Sequence, residues 1–327
     1  MTEWLYEDGI GEERAILVKN GKIIAARIER HGGIKSGLIA QAQLVARVVA
    51  GTRGIVKFAD GREALLSPLP KSLDEGASLM VEVTRTAIDE SSRFKLPVVK
   101  AAPDKAQRDA PTLLEQIGRS ASLCHTHDAD RFEEHGWSEL LNQARTGHVA
   151  FAGGALQISL TPAITLIDVD GDLAPAPLAF AAAVAAAQAI RRLDLQGNIG
   201  VDFPTLAAKT DRRATAEAFD TAMTGLFERT AINGFGFMQI LTRRTRQSTP
   251  EMLQYRSALA EGLALLRRAG RDCGIGAMRL VGHPVVLAQI ETHPDWTALL
   301  SRRTGRPVSL RADAQLAIGA SYVEATP

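Results

Sequence analysis

Asp168, in Ile164-Thr165-Leu166-Ile167-Asp168-Val169-Asp170-Gly171, and Asp202, in Ile199-Gly200-Val201-Asp202-Phe203, each stand near the end of a short apolar run. Two carboxylates delivered to one place suit the binding of a hard cation, with Mg²⁺ activating water against a phosphate ester. One such aspartate alone is better read as a residue that ends its strand and caps the next loop; for two on linked strands the residues leave the two readings even. Arg243, Arg244 and Arg246 could bind phosphate oxygens through their guanidinium forks, or form a solvated basic turn. Lys209 and Arg212-Arg213 could extend that basic rim, or simply open a helix. Cys124-His125-Thr126-His127-Asp128 has metal-ligand residue types without a CxxC or an i,i+4 pair, so it reads as a polar loop. His283 and His293 each precede a proline and read as turn positions. No phosphate-binding glycine motif is present.

The elements that must position the aspartates are legible around them. Phe180-Ala181-Ala182-Ala183-Val184-Ala185-Ala186-Ala187-Gln188-Ala189-Ile190-Arg191-Arg192 is a strong helix former, and Gly197 stops it before the second apolar run. A strand, crossover helix and strand predict parallel neighbours, with both aspartates at the carboxyl ends where ligands bind in such sheets. Ala155 to Leu160 predicts a strand paired with the Asp168 strand; Arg212 to Thr230 predicts a helix, and Phe235 to Leu241 a further strand. Upstream, Arg14 to Arg30 alternates about Asn20-Gly21 as a hairpin. Strands at Leu44–Val49, Gly54–Phe58, Glu63–Leu66 and Ser78–Val83 are separated by turns at Ala50-Gly51, Asp60-Gly61 and Glu75-Gly76, which predicts a small barrel of the OB type. Arg131 to Ala144 has helical spacing. The stretch from Pro250 onward reads as mostly helical, with a closing strand pair near Pro307 to Leu310.

The 327 residues suffice for more than one core. A net charge of +1 neither demands nor excludes a nucleic-acid partner, because a local basic face is invisible in the total. Two distant cysteines, Cys124 and Cys273, argue against a disulfide framework or a structural zinc. No apolar run approaches bilayer length, and the acidic start is unlike a signal peptide, so a cytoplasmic location without membrane contact is expected.

Taken in order, Trp137-Ser138-Glu139-Leu140-Leu141, Gly153-Gly154-Ala155-Leu156, Thr165 to Gly171, Leu195 to Phe203 and Phe235-Gly236-Phe237 resemble the catalytic region of the ribonuclease E and ribonuclease G family. Gly37 to Val99 resembles the family's S1 barrel, and His293 to Leu310 its closing segment. The resemblance implies an α/β catalytic core, ribonuclease H-like or DNase I-like, carrying an inserted S1 barrel of OB fold and a small C-terminal α+β lobe. The implied segments are an N-terminal hairpin over 1–36, the barrel over 37–102, a linker over 103–130, the catalytic domain over 131–248 and the C-terminal domain over 249–327. It implies a metal-dependent endoribonuclease cutting single-stranded RNA, with Asp168 and Asp202 on Mg²⁺, or Mn²⁺, and Asp170 where the family has an asparagine that orients water or phosphate. Arg243, Arg244, Arg246, Lys57 and Phe58 are the expected RNA contacts, Phe58 being the one aromatic left where the family stacks bases.

Departures accompany the resemblance. Pro162 and Thr205 stand where the family has acids, and the stretch before Trp137 is too short for its sensor of the RNA 5′-phosphate. The zinc-sharing cysteine pair is missing, so no zinc is expected; a homodimer is left open. A catalytically weak or inactive RNA-binding protein of the same fold, or a protein-binding scaffold, are the alternatives.

Overall fold

The computed structural model describes residues 2–49, 51–91 and 93–326, arranged as two compact units. One unit gathers 2–31, 119–145 and 252–326; the other comprises 32–118 and 146–251.

The first unit starts with an antiparallel meander, β1 (Thr2–Asp8), β2 (Glu12–Lys19) and β3 (Lys22–Arg30). Its β2–β3 turn takes positive φ at both Asn20 (51°) and Gly21 (75°), as a two-residue hairpin of matching twist requires.

In the second unit, β4 (Ile39–Val48), β5 (Arg53–Phe58), β6 (Glu63–Leu66) and β7 (Ser78–Arg85) are followed by the short β8 (Ile88–Asp89) and β9 (Phe94–Lys95) and by β10 (Val98–Ala101). A closed barrel forms in the order β10-β6-β5-β4-β7, compatible with an OB-like barrel. Alternation explains the closure: Ala42, Leu44, Val56, Phe58, Leu66, Val81, Val83 and Val99 point inward and form one core. β4 begins five residues earlier than Leu44, with Ala42 already in the inward set and Ala40 packed against it. Ala50, in the expected Ala50-Gly51 turn, lies outside the described residues.

Then come α1 (Leu113–Ile117), opened by a Thr112/Glu115 capping box, β11 (Ser122–Leu123), α2 (Arg131–Glu134) and α3 (Trp137–Thr146). The helical spacing over Arg131 to Ala144 is broken into two by Gly136, whose φ of 90° no helix interior accepts. β11 adds to the first unit's sheet, parallel to β1.

The second unit continues through β12 (His148–Phe151), β13 (Gly154–Leu160), β14 (Thr165–Gly171), α4 (Pro175–Arg192), β15 (Asn198–Asp202), α5 (Lys209–Ala222), β16 (Phe227–Arg229) and β17 (Phe237–Thr242). The sheet order is β12-β13-β14-β15-β17-β16, with only β14 and β15 parallel. The crossover through α4 accounts for that one parallel pair, as the alanine-rich connection predicts. α5 starts at Lys209 and ends at Ala222, and the expected helical residues beyond it turn into β16. Leu156, Ile158, Ile167, Val169, Ile199, Val201, Met238 and Ile240 are buried on the face that α4 covers. The alternate residues form the other, exposed face.

The first unit, which resumes at Met252 within α6 (Thr249–Tyr255), is completed by α7 (Ser257–Gly270), β18 (Ala277–Gly282), α8 (Pro284–Glu291), α9 (Pro294–Thr304), β19 (Val308–Ala312) and β20 (Tyr322–Thr326). Ile10 from the N-terminal meander packs with Leu263, Leu266, Met278, Leu280, Leu287, Trp296 and Leu300, so chain beginning and end share a core. Gly11 allows this approach: with φ 76°, a Cβ there would stand 2.6 Å from Leu263 Cδ2. His283 and His293 are N-caps of α8 and α9, each followed by a proline in the first turn, which refines the expected turns. Among the described residues no helix is long and apolar enough to cross a membrane.

Candidate functional site

Asp168 and Asp202 are register partners on the parallel pair β14 and β15. Strands so paired lie about 4.8 Å apart, and partners project from the same face. That face is the exposed one, and both aspartates are exposed on it. The register extends sideways: His148 pairs with Gln157, Gln157 with Asp168, Asp202 with Phe237. A row of His148, Gln157, Asp168, Asp202 and Phe237 therefore crosses five strands at one level. Asp168 Oδ1 accepts the N–H of Val169 at 3.0 Å. Asp170 lies two residues further along β14, on the same face, opposite Ala155. Gly200 leaves room for the Phe237 ring, whose Cζ would stand 2.5 Å from a Cβ there.

Beyond the carboxyl end of β15 a short loop is fixed against the Asp202 strand. Phe203 N–H donates to the Gly236 carbonyl at 3.1 Å, and Gly236 has φ 95°, with no room for a Cβ against the Phe203 carbonyl. Asn233 Oδ1 accepts from the N–H of Phe235 at 2.9 Å and of Phe237 at 3.1 Å. Held between these contacts, Phe235 is 85% exposed. In the sequence, Phe235-Gly236-Phe237 carries the family resemblance with no contact assigned to it, and the glycines on either side of Phe235, Gly234 and Gly236, are the available signal. For His148 and Gln157 the signal was absent, because register across strands is not written in local spacing.

The arginines after β17 are not brought to the aspartates. β17 runs antiparallel to β15, with Phe237 opposite Asp202 and Leu241 opposite Asn198. Arg243 thus emerges beside the amino end of β15, about 20 Å from Asp202 at the rise of a strand. Arg244 pairs with Glu251, and Arg246 with Asp194 at 2.5 and 3.2 Å. Thr245 between them accepts the N–H of Thr86 at 2.9 Å, so this turn joins the barrel to the sheet within one unit. Arg243 remains exposed. In the barrel, Lys57 is exposed but Phe58 is only 7% exposed and belongs to the barrel core, which takes it out of reach of a base.

Basic residues do reach the Asp202 end through α5. Lys209, Arg212, Arg213 and Arg229 line a groove of about 420 Å³ with Ala216, Glu217, Ala231, Ile232 and Gly234. Arg212 Nη1 donates to the carbonyls of Leu206 at 2.5 Å and Ala207 at 3.0 Å, anchoring the chain that leaves β15. The Cys124 to Asp128 stretch is a loop with the His125 and His127 rings stacked at 5.4 Å, and burial pushes the Cys124 thiol up from its ordinary value. Among the described residues no three His, Cys, Asp or Glu side chains cluster as a metal site.

No protein-family model matches the chain, and none of the curated proteins matches it.

Proposed function

We propose that the chain is a Mg²⁺-dependent endoribonuclease for single-stranded RNA, its α/β core acting as a ribonuclease H-like or DNase I-like scaffold and its barrel as an S1-type OB fold. The observation that supports this best is the pairing of Asp168 with Asp202, in register, on the exposed face of adjacent parallel strands. Their donor chemistry fits the cation: Mg²⁺ is commonly held by one or two carboxylates, with waters and substrate phosphates completing its shell. When bound, Mg²⁺ supplies an activated water and neutralises charge on the phosphodiester. Asp168 and Asp202 would hold the ion, and the hydrogen bond from Val169 to Asp168 Oδ1 restricts the rotation of one of them. Asp170, on the same face, would accept a hydrogen bond from the attacking water.

The test is a cleavage assay on end-labelled single-stranded RNA with Mg²⁺, with Mn²⁺ and with chelator. Wild type cuts only with metal, and Asp202→Asn, which keeps shape and removes a charge, loses at least about 100-fold, in line with removing a group that stabilises transition-state charge. Equal cleavage by Asp202→Asn removes the assignment. Binding without cleavage in either metal replaces it with the RNA-binding reading.

A further inference from the structure

Phe235 and the groove of α5 form a second feature at the Asp202 end of the sheet. An 85% exposed phenylalanine costs solvation free energy, and here it is not on a loose tip but on a loop pinned by Asn233 Oδ1 and by the Gly236 carbonyl. Upstream in the same loop, Gly234, Ile232 and Ala231 are walls of the basic groove, so the groove's lining ends one residue before Phe235. The charges in the groove do not all cancel. Arg229 is neutralised by Asp220 through contacts at 2.6 and 2.5 Å, and Arg213 meets Glu217 at 2.8 Å in a pair whose side chains are 82% and 59% exposed. Such an exposed pair is worth little and yields readily to a phosphate. Lys209 is exposed at the start of α5, in a first turn that also carries Asp211 and whose cap residue Ala208 makes no side-chain cap bond.

An aromatic platform joined to a basic track is the recognition chemistry of single-stranded nucleic acid: the ring stacks on a base whatever its identity, and the cations follow the phosphates. We propose that Phe235 is a base-stacking subsite and that Lys209 and Arg213 bind the phosphates next to that base. The subsite deepens the nuclease reading, on which it rests for the choice of RNA as the strand. Because Phe235 precedes the residues that pair with Asp202 and Phe203, the stacked base flanks the phosphodiester placed at the aspartates. The arginines beyond β17 are left out of this path.

The experiment measures fluorescence anisotropy of labelled decauridylate with the full chain in chelator, so that binding is read without cleavage. Phe235→Ala weakens binding at least about fivefold, the lower end of what one lost stacked base costs. Phe235→Tyr restores it. The double variant Lys209→Ala, Arg213→Ala lowers the slope of log affinity against log salt by about 1.4, that is about 0.7 for each of two phosphates. Variants of all three residues keep the wild-type melting temperature, since none is buried. Undiminished binding by Phe235→Ala, or an unchanged salt slope in the double variant, overturns the subsite even if cleavage at the aspartates is demonstrated. Equal affinity for poly-L-glutamate of matched charge overturns the assignment to RNA. Conversely, if Asp202→Asn cuts as wild type while these variants lose binding, the subsite stands and the metal assignment fails.

Discussion

Glu7 is 2% exposed, yet it carries a charge, because three guanidinium groups surround it: Arg14 Nη1 at 2.8 Å, Arg267 Nε at 2.9 Å and Arg271 Nη2 at 2.7 Å. Burial pushes its carboxyl up, but the attraction of Arg14 and Arg267 and the hydrogen bonds from Arg267 and Arg271 overcome it and hold it at about 2. Removing one partner of such a network strands the others in low dielectric. Glu7→Gln is therefore expected to destabilise the fold by about 3 to 5 kcal/mol in urea unfolding at pH 7. A loss under about 1 kcal/mol would mean that the arginines find other partners. Asp168 and Asp202 present the opposite case, exposed acids side by side without an arginine between them in the register. Nothing in their packing requires a charge, and the metal proposed for them rests on their pairing in register.

At the scale of elements, the βαβ unit was legible because each signal was local: alternation, alanine-rich helix propensity and a glycine stop all fell within one stretch of chain. The direction of β17 was not local. Arg243, Arg244 and Arg246 looked like neighbours of the aspartates only while the orientation of their strand was unknown, and the antiparallel register with β15 moved them to the far end. Phe58 shows a different limit. Lys57 must face water, so the next residue on a strand faces the barrel interior, and period-two alternation already contained that answer. The loop before β17 carries its own test. Gly236 has φ 95° and its α-carbon lies against the Phe203 carbonyl, so Gly236→Ala adds both a strained dihedral and a collision. A melting temperature lowered by the equivalent of about 1 to 3 kcal/mol is expected, together with weaker RNA binding as Phe235 is displaced. Unchanged stability would show that the loop has another accessible conformation.

For the whole molecule, the two units differ in where their charges are kept. The unit holding residues 2–31, 119–145 and 252–326 buries the Glu7 network. In the other unit Asp60 and Glu82 are held below their ordinary range by the surface cations Arg62 and Lys105 with Lys100, and Glu90, whose side chain is 7% exposed, is held there against its burial by Arg93 and Lys95. Acid should act on the two differently. A carboxyl whose folded value is depressed stabilises the fold above its unfolded value, and that stability is lost as pH falls toward the folded value. For Glu7 the window runs from 4.5 down to about 2, and the shift corresponds to roughly 3 kcal/mol. Exposed pairs are screened by solvent and contribute far less. On acidification β1, β2 and α7 should therefore lose amide protection before β13, β14 and β15 do. Hydrogen exchange read by mass spectrometry at pH 6, 4 and 3 follows both sets of peptides in one sample, and in Glu7→Gln the β1 and α7 peptides should start less protected and change less with pH. Simultaneous loss in both units, or earlier loss in the aspartate sheet, would show that surface carboxylates rather than the buried network set the acid limit.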